Sequence, residues 1–159
     1  MGIKMIYHCD SCSLRTTYAP LSFNYVAIAN ITRITFALRR DSGHFGIDDV
    51  SIQDTAVLGT ELLSNGGFET GTFSSWTHCV QTGSTATGSI QSTSSGISYN
   101  GHNFTARSGA YYYLGGATVN TEYLSQTFSS IIGHTYIFSF AYVYVGNGSL
   151  SSGDFLLSI

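Results

Sequence analysis

Apolar and polar residues alternate along much of this chain. The cleanest run is Thr135 to Val145, where Tyr136, Phe138, Phe140, Tyr142 and Tyr144 fall on one side and Ile137, Ser139, Ala141, Val143 and Val145 on the other. A period of two marks a β-strand whose faces differ in burial. Large rings fill a sandwich interior, so the aromatic row predicts the core face and the smaller row a shallow concave floor. Leu21, Phe23 and Tyr25 repeat the period, as do Ile34, Phe36 and Leu38 set against Arg33, Thr35, Ala37 and Arg39. Tyr111 to Leu114 predicts a strand with Tyr111 and Tyr113 on one face and Tyr112 with Leu114 on the other. Further strands are expected at Lys4 to His8, Tyr123 to Phe128 and Asp154 to Ile159, and turns at Asp41-Ser42-Gly43, Gly133 and Gly146-Asn147-Gly148. Pro20 reads as a boundary.

One further strand carries Phe45, Ile47, Val50 and Ile52. If Val50 and Ile52 point inward, strict alternation puts Asp48 on their face and Asp49 on the other. Asp48 is then the less solvated carboxylate.

Composition agrees with strands. The 159 residues are 43% hydrophobic, 14% aromatic and only 9% charged. Val, Ile, Thr, Tyr and Phe dominate beside Gly and Ser, which is all-β usage. Folded as one unit, a chain of this length buries roughly 68–70% of its unfolded surface. Net charge is -3 and Lys4 is the only lysine, so no basic surface is available for nucleic acid. No apolar run approaches the ~20 residues that span a bilayer, so no membrane insertion is expected. The start MGIKMIYHCD lacks the apolar core of a signal peptide, and the expectation is that Met1 is not the native start or that the chain is a fragment.

The cysteines leave alternatives open. Cys9 and Cys12 form a CxxC, while Cys79 follows His78 at a distance. His8, Cys9, Cys12 and Cys79 are a weak zinc set, because zinc sites usually show two tight ligand pairs. In a secreted protein a disulfide from Cys79 to Cys9 or Cys12 is the better reading. Sequons at Asn30, Asn103 and Asn147 agree with an extracellular or cell-surface address.

The Ser/Thr/Gly-rich stretch from 81 to 109 reads as short strands joined by long loops. Tyr99, His102, Asn103 and Arg107 are expected on a loop rim, where a rigid scaffold often carries binding, and with Tyr112 they are the candidate ligand-binding residues. An ordinary solvated loop is the alternative. Trp76 is expected in the core, with a sugar-stacking platform as its alternative.

Acidic residues gather at one junction. Asp48, Asp49, Asp54 and Glu69 lie beside strand-like runs in a nearly uncharged chain. A solvated strand end explains them. So does a calcium ion, which takes carboxylate and carbonyl oxygens.

Asn65-Gly66-Gly67-Phe68-Glu69-Thr70-Gly71, followed by Trp76, resembles the opening of galactose-binding-like jelly rolls, notably carbohydrate-binding modules of families four, nine and twenty-two. Ile47-Asp48-Asp49-Val50-Ser51-Ile52 resembles their closing strand, and the SFAY of the aromatic strand resembles a core strand. MAM domains share both junction signatures. The resemblance runs from about Leu21 onward and implies a two-sheet antiparallel jelly-roll β-sandwich. It also implies one structural Ca2+ site combining Glu69 with Asp48 or Asp49.

In such domains the NGGFE segment comes first and the IDDV segment last. Here the order is reversed. Either the chain is cut from a tandem array or it folds as one circularly permuted sandwich, with 21–54 supplying the C-terminal strands and 61–159 the N-terminal ones. Residues 1–20 have no family counterpart. Permutation is favoured because 21–52 resembles the strands that a sandwich ending at Ile159 would lack, and unpaired strand edges are aggregation templates.

No carboxylate pair outside the junction sits in a catalytic context, and no GxSxG elbow is present. A non-catalytic function is expected. The resemblance implies an extracellular carbohydrate-binding-type module whose partner is a saccharide or a cell-surface glycoprotein. The alternative is a structural or adhesive MAM-like repeat that contacts proteins, including neighbouring repeats of its own kind.

Overall fold

The structure is a computed structural model that describes residues 4–9, 12–40, 43–146 and 153–158. Twelve strands are seen among them: β1 (Met5–Cys9), β2 (Arg15–Val26), β3 (Ile31–Arg40), β4 (His44–Asp54), β5 (Thr77–Val80), β6 (Ser89–Ser92), β7 (Ser98–Tyr99), β8 (His102–Asn103), β9 (Tyr111–Gly115), β10 (Glu122–Ser129), β11 (Thr135–Val145) and β12 (Gly153–Ser158). Ten form two five-stranded sheets, β1-β12-β3-β10-β5 and β2-β11-β4-β9-β6, and β7 with β8 makes a separate small hairpin. The ladders between strands are antiparallel. No helix among the described residues is long and apolar enough to cross a membrane.

The two sheets pack face to face. Ile34, Phe36, Leu38, Leu124 and Phe128 of the first sheet share a core with Phe45, Ile47, Ile52, Tyr113, Phe138 and Phe140 of the second. Phe36 bridges them, its ring centroid 6.1 Å from Phe138 and 5.3 Å from Phe140. All five aromatics of β11 are buried, as their alternation predicted. Trp76 is core as well, 6% exposed, with its indole N–H donating to the Asn65 carbonyl at 2.9 Å. Tyr113 joins this core while Tyr112 and Leu114 face the other way, also as predicted.

The middle strand of each sheet comes from the first third of the chain. β3 lies between β12 and β10, and β4 between β11 and β9. Without 31–54 both sheets would be split, so the IDDV segment is interior to the architecture. Arg40 fixes the passage from β3 to β4, donating to the carbonyls of Gly43 and Gly116 and meeting His44 Nε2 at 2.9 Å.

Three expectations change. Pro20 is no boundary: it sits inside β2, an edge strand paired only to β11, where its missing N–H interrupts no ladder. The disulfide joins Cys9 to Cys12, whose Cα atoms are 5.3 Å apart, and Cys79 is free and exposed. Cys79 cannot reach them because β1 and β5 are opposite edges of one sheet, about four spacings of ~4.8 Å apart. The third change is at Asp49. Most of the expected turn at 146–148, the Asn147 sequon and most of the turn at 41–43 lie outside the described residues.

Candidate functional site

At the acidic junction β4 does not alternate strictly. Ser51 pairs with Ser139 and Asp48 with Ala141, so Asp49 and Val50 together oppose Phe140. This is a β-bulge, and Asp49 takes the left-handed conformation it needs, φ 52°. The extra residue reverses the face of everything before it. Val50 and Ile52 point into the core as expected, but Asp48 turns to the outer face of the second sheet. It is still fully buried, because the segment after Phe104 lies over it.

The NGGFE loop is shaped to lie against the bulge. Val50 N–H donates to the Gly66 carbonyl at 3.1 Å, and a Cβ on Gly66 would sit 1.9 Å from the Val50 carbonyl oxygen. Only glycine allows that approach. Asn65 holds the loop closed, donating from Nδ2 to the carbonyls of Thr72 and Ser74 at 3.1 Å each and accepting from Thr70 N–H at 3.1 Å. Phe68 is buried against Trp76, centroids 5.5 Å apart, which aims Glu69 outward.

Asp48, Asp49 and Glu69 all meet one segment, 107–111. Asp48 accepts from the backbone N–H of Arg107 at 2.7 Å and Ser108 at 3.2 Å, and from its neighbour Asp49 at 2.7 Å. Asp49 pairs with the Arg107 guanidinium and accepts from Ser108 Oγ at 2.5 Å. Glu69 accepts from the N–H of Ala110 and Tyr111 at 3.0–3.1 Å. Burial pushes the Asp48 carboxyl up to about 6; the three amides oppose this and Asp49 adds to it.

The resemblance implies calcium here. A calcium ion needs converging oxygens, whereas these carboxylates face N–H groups, a hydroxyl and a guanidinium. No group of three acids, histidines or cysteines able to hold a metal is found among the described residues. As arranged, the three acids tie a loop to the sheet and do not fit the ion.

The candidate ligand residues do not form one rim. Residues 98–103 fold as the β7–β8 hairpin, turned by Asn100 and Gly101 with φ 49° and 76°, the geometry an Asn-Gly pair favours. The hairpin covers the outer face of the second sheet with a smaller core of Phe104, Tyr112, Leu114, Val143 and Val145. Tyr112 is fully buried beneath it, its hydroxyl donating to the Phe104 carbonyl at 3.2 Å. Tyr99 packs edge-on against His44 at 5.4 Å and His102 against Phe104 at 4.9 Å. Asn103 is exposed and Arg107 is held by Asp49.

The hairpin leaves the rest of that face, which the 59–61 segment bounds on one side: Ser51 Oγ donates to Glu61, and Gly59 N–H to Gln53 Oε1 at 3.4 Å. Register places Asn24, Ile137 and Gln53 in one row across three strands, and Ser22, Ser139 and Ser51 in the next. Asn24 and Ser22 are exposed and the other four half-buried. Sequence reasoning read the whole row from Ile137 to Val145 as a floor, but Ala141, Val143 and Val145 are buried, the two valines in the hairpin's small core, and the amides flanking Ile137 were missed, since register across strands is needed to see them.

A second group was also missed. Glu122 is fully buried at the far edge of the core and accepts from Tyr113 Oη at 2.6 Å, from Gly88 N–H at 2.6 Å and from Gly116 N–H, with His78 Nε2 at 3.4 Å. Burial works against its charge, but these four partners outweigh it and hold the carboxyl below the ordinary glutamate range. The signal was present: Glu122 shares an alternating row with Leu124 and Phe128. Comparison with protein-family models, curated proteins and solved structures finds no match to this chain.

Proposed function

We propose that this protein is a non-catalytic carbohydrate-binding-type module, a jelly-roll sandwich of galactose-binding-like type in circularly permuted order, working outside the cell. The observation that carries the reading is the outer face of the second sheet beyond the hairpin, where the Asn24 amide and the Ser22 and Ser139 hydroxyls stand beside Ile137 and the Gln53 and Ser51 side chains, met by Gly59 and Glu61, close one side. Amides and hydroxyls beside an aliphatic side chain match the donors and acceptors of a sugar ring. Glu122, one of two acids with no exposed surface, has its carboxylate held by Gly88, Gly116, Tyr113 and His78 within the core, which supports a binding role over catalysis. A glycan array tests the reading. Saccharide binding lost in the Asn24→Ala/Gln53→Ala double variant supports it, and binding indifferent to that change removes the site.

One observation favours an adhesive repeat instead. Seven exposed aliphatics, Val26, Ile28, Ile31, Val57, Leu58, Ile131 and Ile132, lie at one end of the sandwich. Their turns are hydrogen-bonded together there, Ala27 N–H to the His134 carbonyl at 3.0 Å and Thr55 N–H to the Thr135 carbonyl at 2.9 Å. Silence on the array with concentration-dependent self-association in sedimentation would select this version. The calcium that the resemblance implies requires Arg107 to leave Asp49. A rise in Tm with added calcium, erased by Asp48→Ala together with Glu69→Ala, is the result that supports it.

A further inference from the structure

The first sheet carries a cleft of its own. β5 pairs with β10 only from Ser125 to Glu122, so the rest of β10 has no strand on that side. The segment at Ser64 crosses there instead, exchanging two hydrogen bonds with the Gln126 side chain at 2.8 and 3.0 Å. The short edge leaves a cleft of about 460 Å³ lined by Arg33, Ser64, Ser75, Thr77, Ser125 and Thr127, among others. Arg33 enters from β3, directly opposite Thr127.

Arg33 is the exposed cation of this cleft and pairs with no described acid. Asp49 is taken by Arg107, Asp54 by His134 at 2.7 Å, and Glu122 by His78 and Tyr113. Asp48 and Glu69 hold backbone amides, and Glu61 accepts from Ser51 Oγ and from the N–H of Ile52 and Leu63. The other arginines described with partners are equally engaged: Arg15 lies 4.9 Å from the Tyr142 ring centroid and Arg40 meets His44. A guanidinium fork free of carboxylates, ringed by hydroxyls, recognises a planar or tetrahedral oxyanion on a molecule rich in hydroxyls. With one cation in the cleft, the match is to a single negative charge, not to a polyanion.

We infer that the Arg33 cleft binds an acidic sugar residue, its carboxylate or sulfate ester seated on the guanidinium and its hydroxyls on Ser125, Thr127 and Thr77. The inference rests on the carbohydrate-binding reading for the polyhydroxylated ligand, but it places that ligand on the opposite sheet. Titration calorimetry with the full chain separates the two. The probes are a uronate trisaccharide, a sulfated trisaccharide, and the neutral trisaccharide of the same linkage. The expected result is at least tenfold tighter binding of one acidic probe than of the neutral one. The acidic probe that binds identifies carboxylate or sulfate. Arg33→Ala removes the tenfold preference without moving Tm, Arg33→Lys retains part of it, and Asn24→Ala/Gln53→Ala leaves it intact. Equal binding of acidic and neutral probes, no binding of either acidic probe, or a preference that survives Arg33→Ala overturns the inference. Neutral binding sensitive to Asn24 and Gln53 would in that event leave the second-sheet site standing.

Discussion

Asp48 and Glu122 are both carboxylates with no exposed surface, and each is met by several hydrogen-bond donors. Burial disfavours the charge on both, yet the outcomes differ: Asp48 is pushed up to about 6 and Glu122 is held low. The difference lies in the neighbours. Glu122 has a tyrosine hydroxyl and an imidazole among its partners, while Asp48 has only backbone amides and the like charge of Asp49 beside it. One acid is a satisfied core anchor. The other fastens a bulge to a loop, with its charge opposed by burial and by Asp49.

The contrast breaks most readily at Glu122. Glu122→Ala leaves Tyr113 Oη and the N–H groups of Gly88 and Gly116 buried without acceptors, and losing one side of such a cluster costs about 3–5 kcal/mol. Urea unfolding should show the drop in midpoint. Glu122→Gln, which keeps one carbonyl acceptor, should lose less. If Glu122→Ala costs under about 1 kcal/mol, far less than an emptied buried acceptor should cost, water enters the cluster and the acid is not the anchor described.

The second test uses pH. The folded Asp48 pKa of about 6 lies above the unfolded value of 3.8, so the native state holds this proton more tightly. Its stabilising contribution is complete below about 3.8 and is lost as pH rises through about 6. Glu122 has the opposite sign: its contribution is present above the ordinary glutamate range and is lost as pH falls through its lowered value. Asp48→Asn should therefore flatten the fall in Tm between pH 4 and 7 and leave the steeper acid loss in place. At neutral pH it should cost about 1–2 kcal/mol, because an amide N–H₂ meets N–H donors on one side. An unchanged slope between pH 4 and 7 would mean that Asp48 is solvated.

Much of this contrast could not be read from the chain. The β11 row, the Phe36 row and the split of Tyr112 from Tyr113 follow from alternation, because every residue in those strands occupies one ladder position. Asp48 defeats the same rule. A bulge adds a residue without changing composition, so Ile47-Asp48-Asp49-Val50 reads as an ordinary half-buried strand until its partner strand is known. The doublet of aspartates is the available hint, since aspartate tolerates the positive φ that Asp49 adopts. The lid over Tyr112 is announced by Asn100-Gly101. What it covers is not, because the small core beneath it also takes Val143 and Val145 from a distant strand. Glu122 was legible in kind and not in partners: an acid in an apolar row must be paired, but Gly88 and His78 come from distant segments.

The smallest effect is the most informative about the junction. Arg107→Ala removes an ion pair that is partly exposed on both sides, 42% and 24% by side chain, so its cost to stability should be about 0.2–1 kcal/mol and should shrink in high salt. Its larger consequence is chemical. Without the guanidinium, Asp48 and Asp49 face each other across the bulge with only amides and Ser108 Oγ to hold them, and the cheapest remedy is a bound cation. Added calcium should then raise the Tm of Arg107→Ala more than that of the parent, by mass action on the folded state. Equal responses would show that Arg107 does not stand where an ion would. No response in either protein would leave the three acids as a loop fastening alone, with Glu69 bonded to Ala110 and Tyr111 as the part that needs no counter-charge.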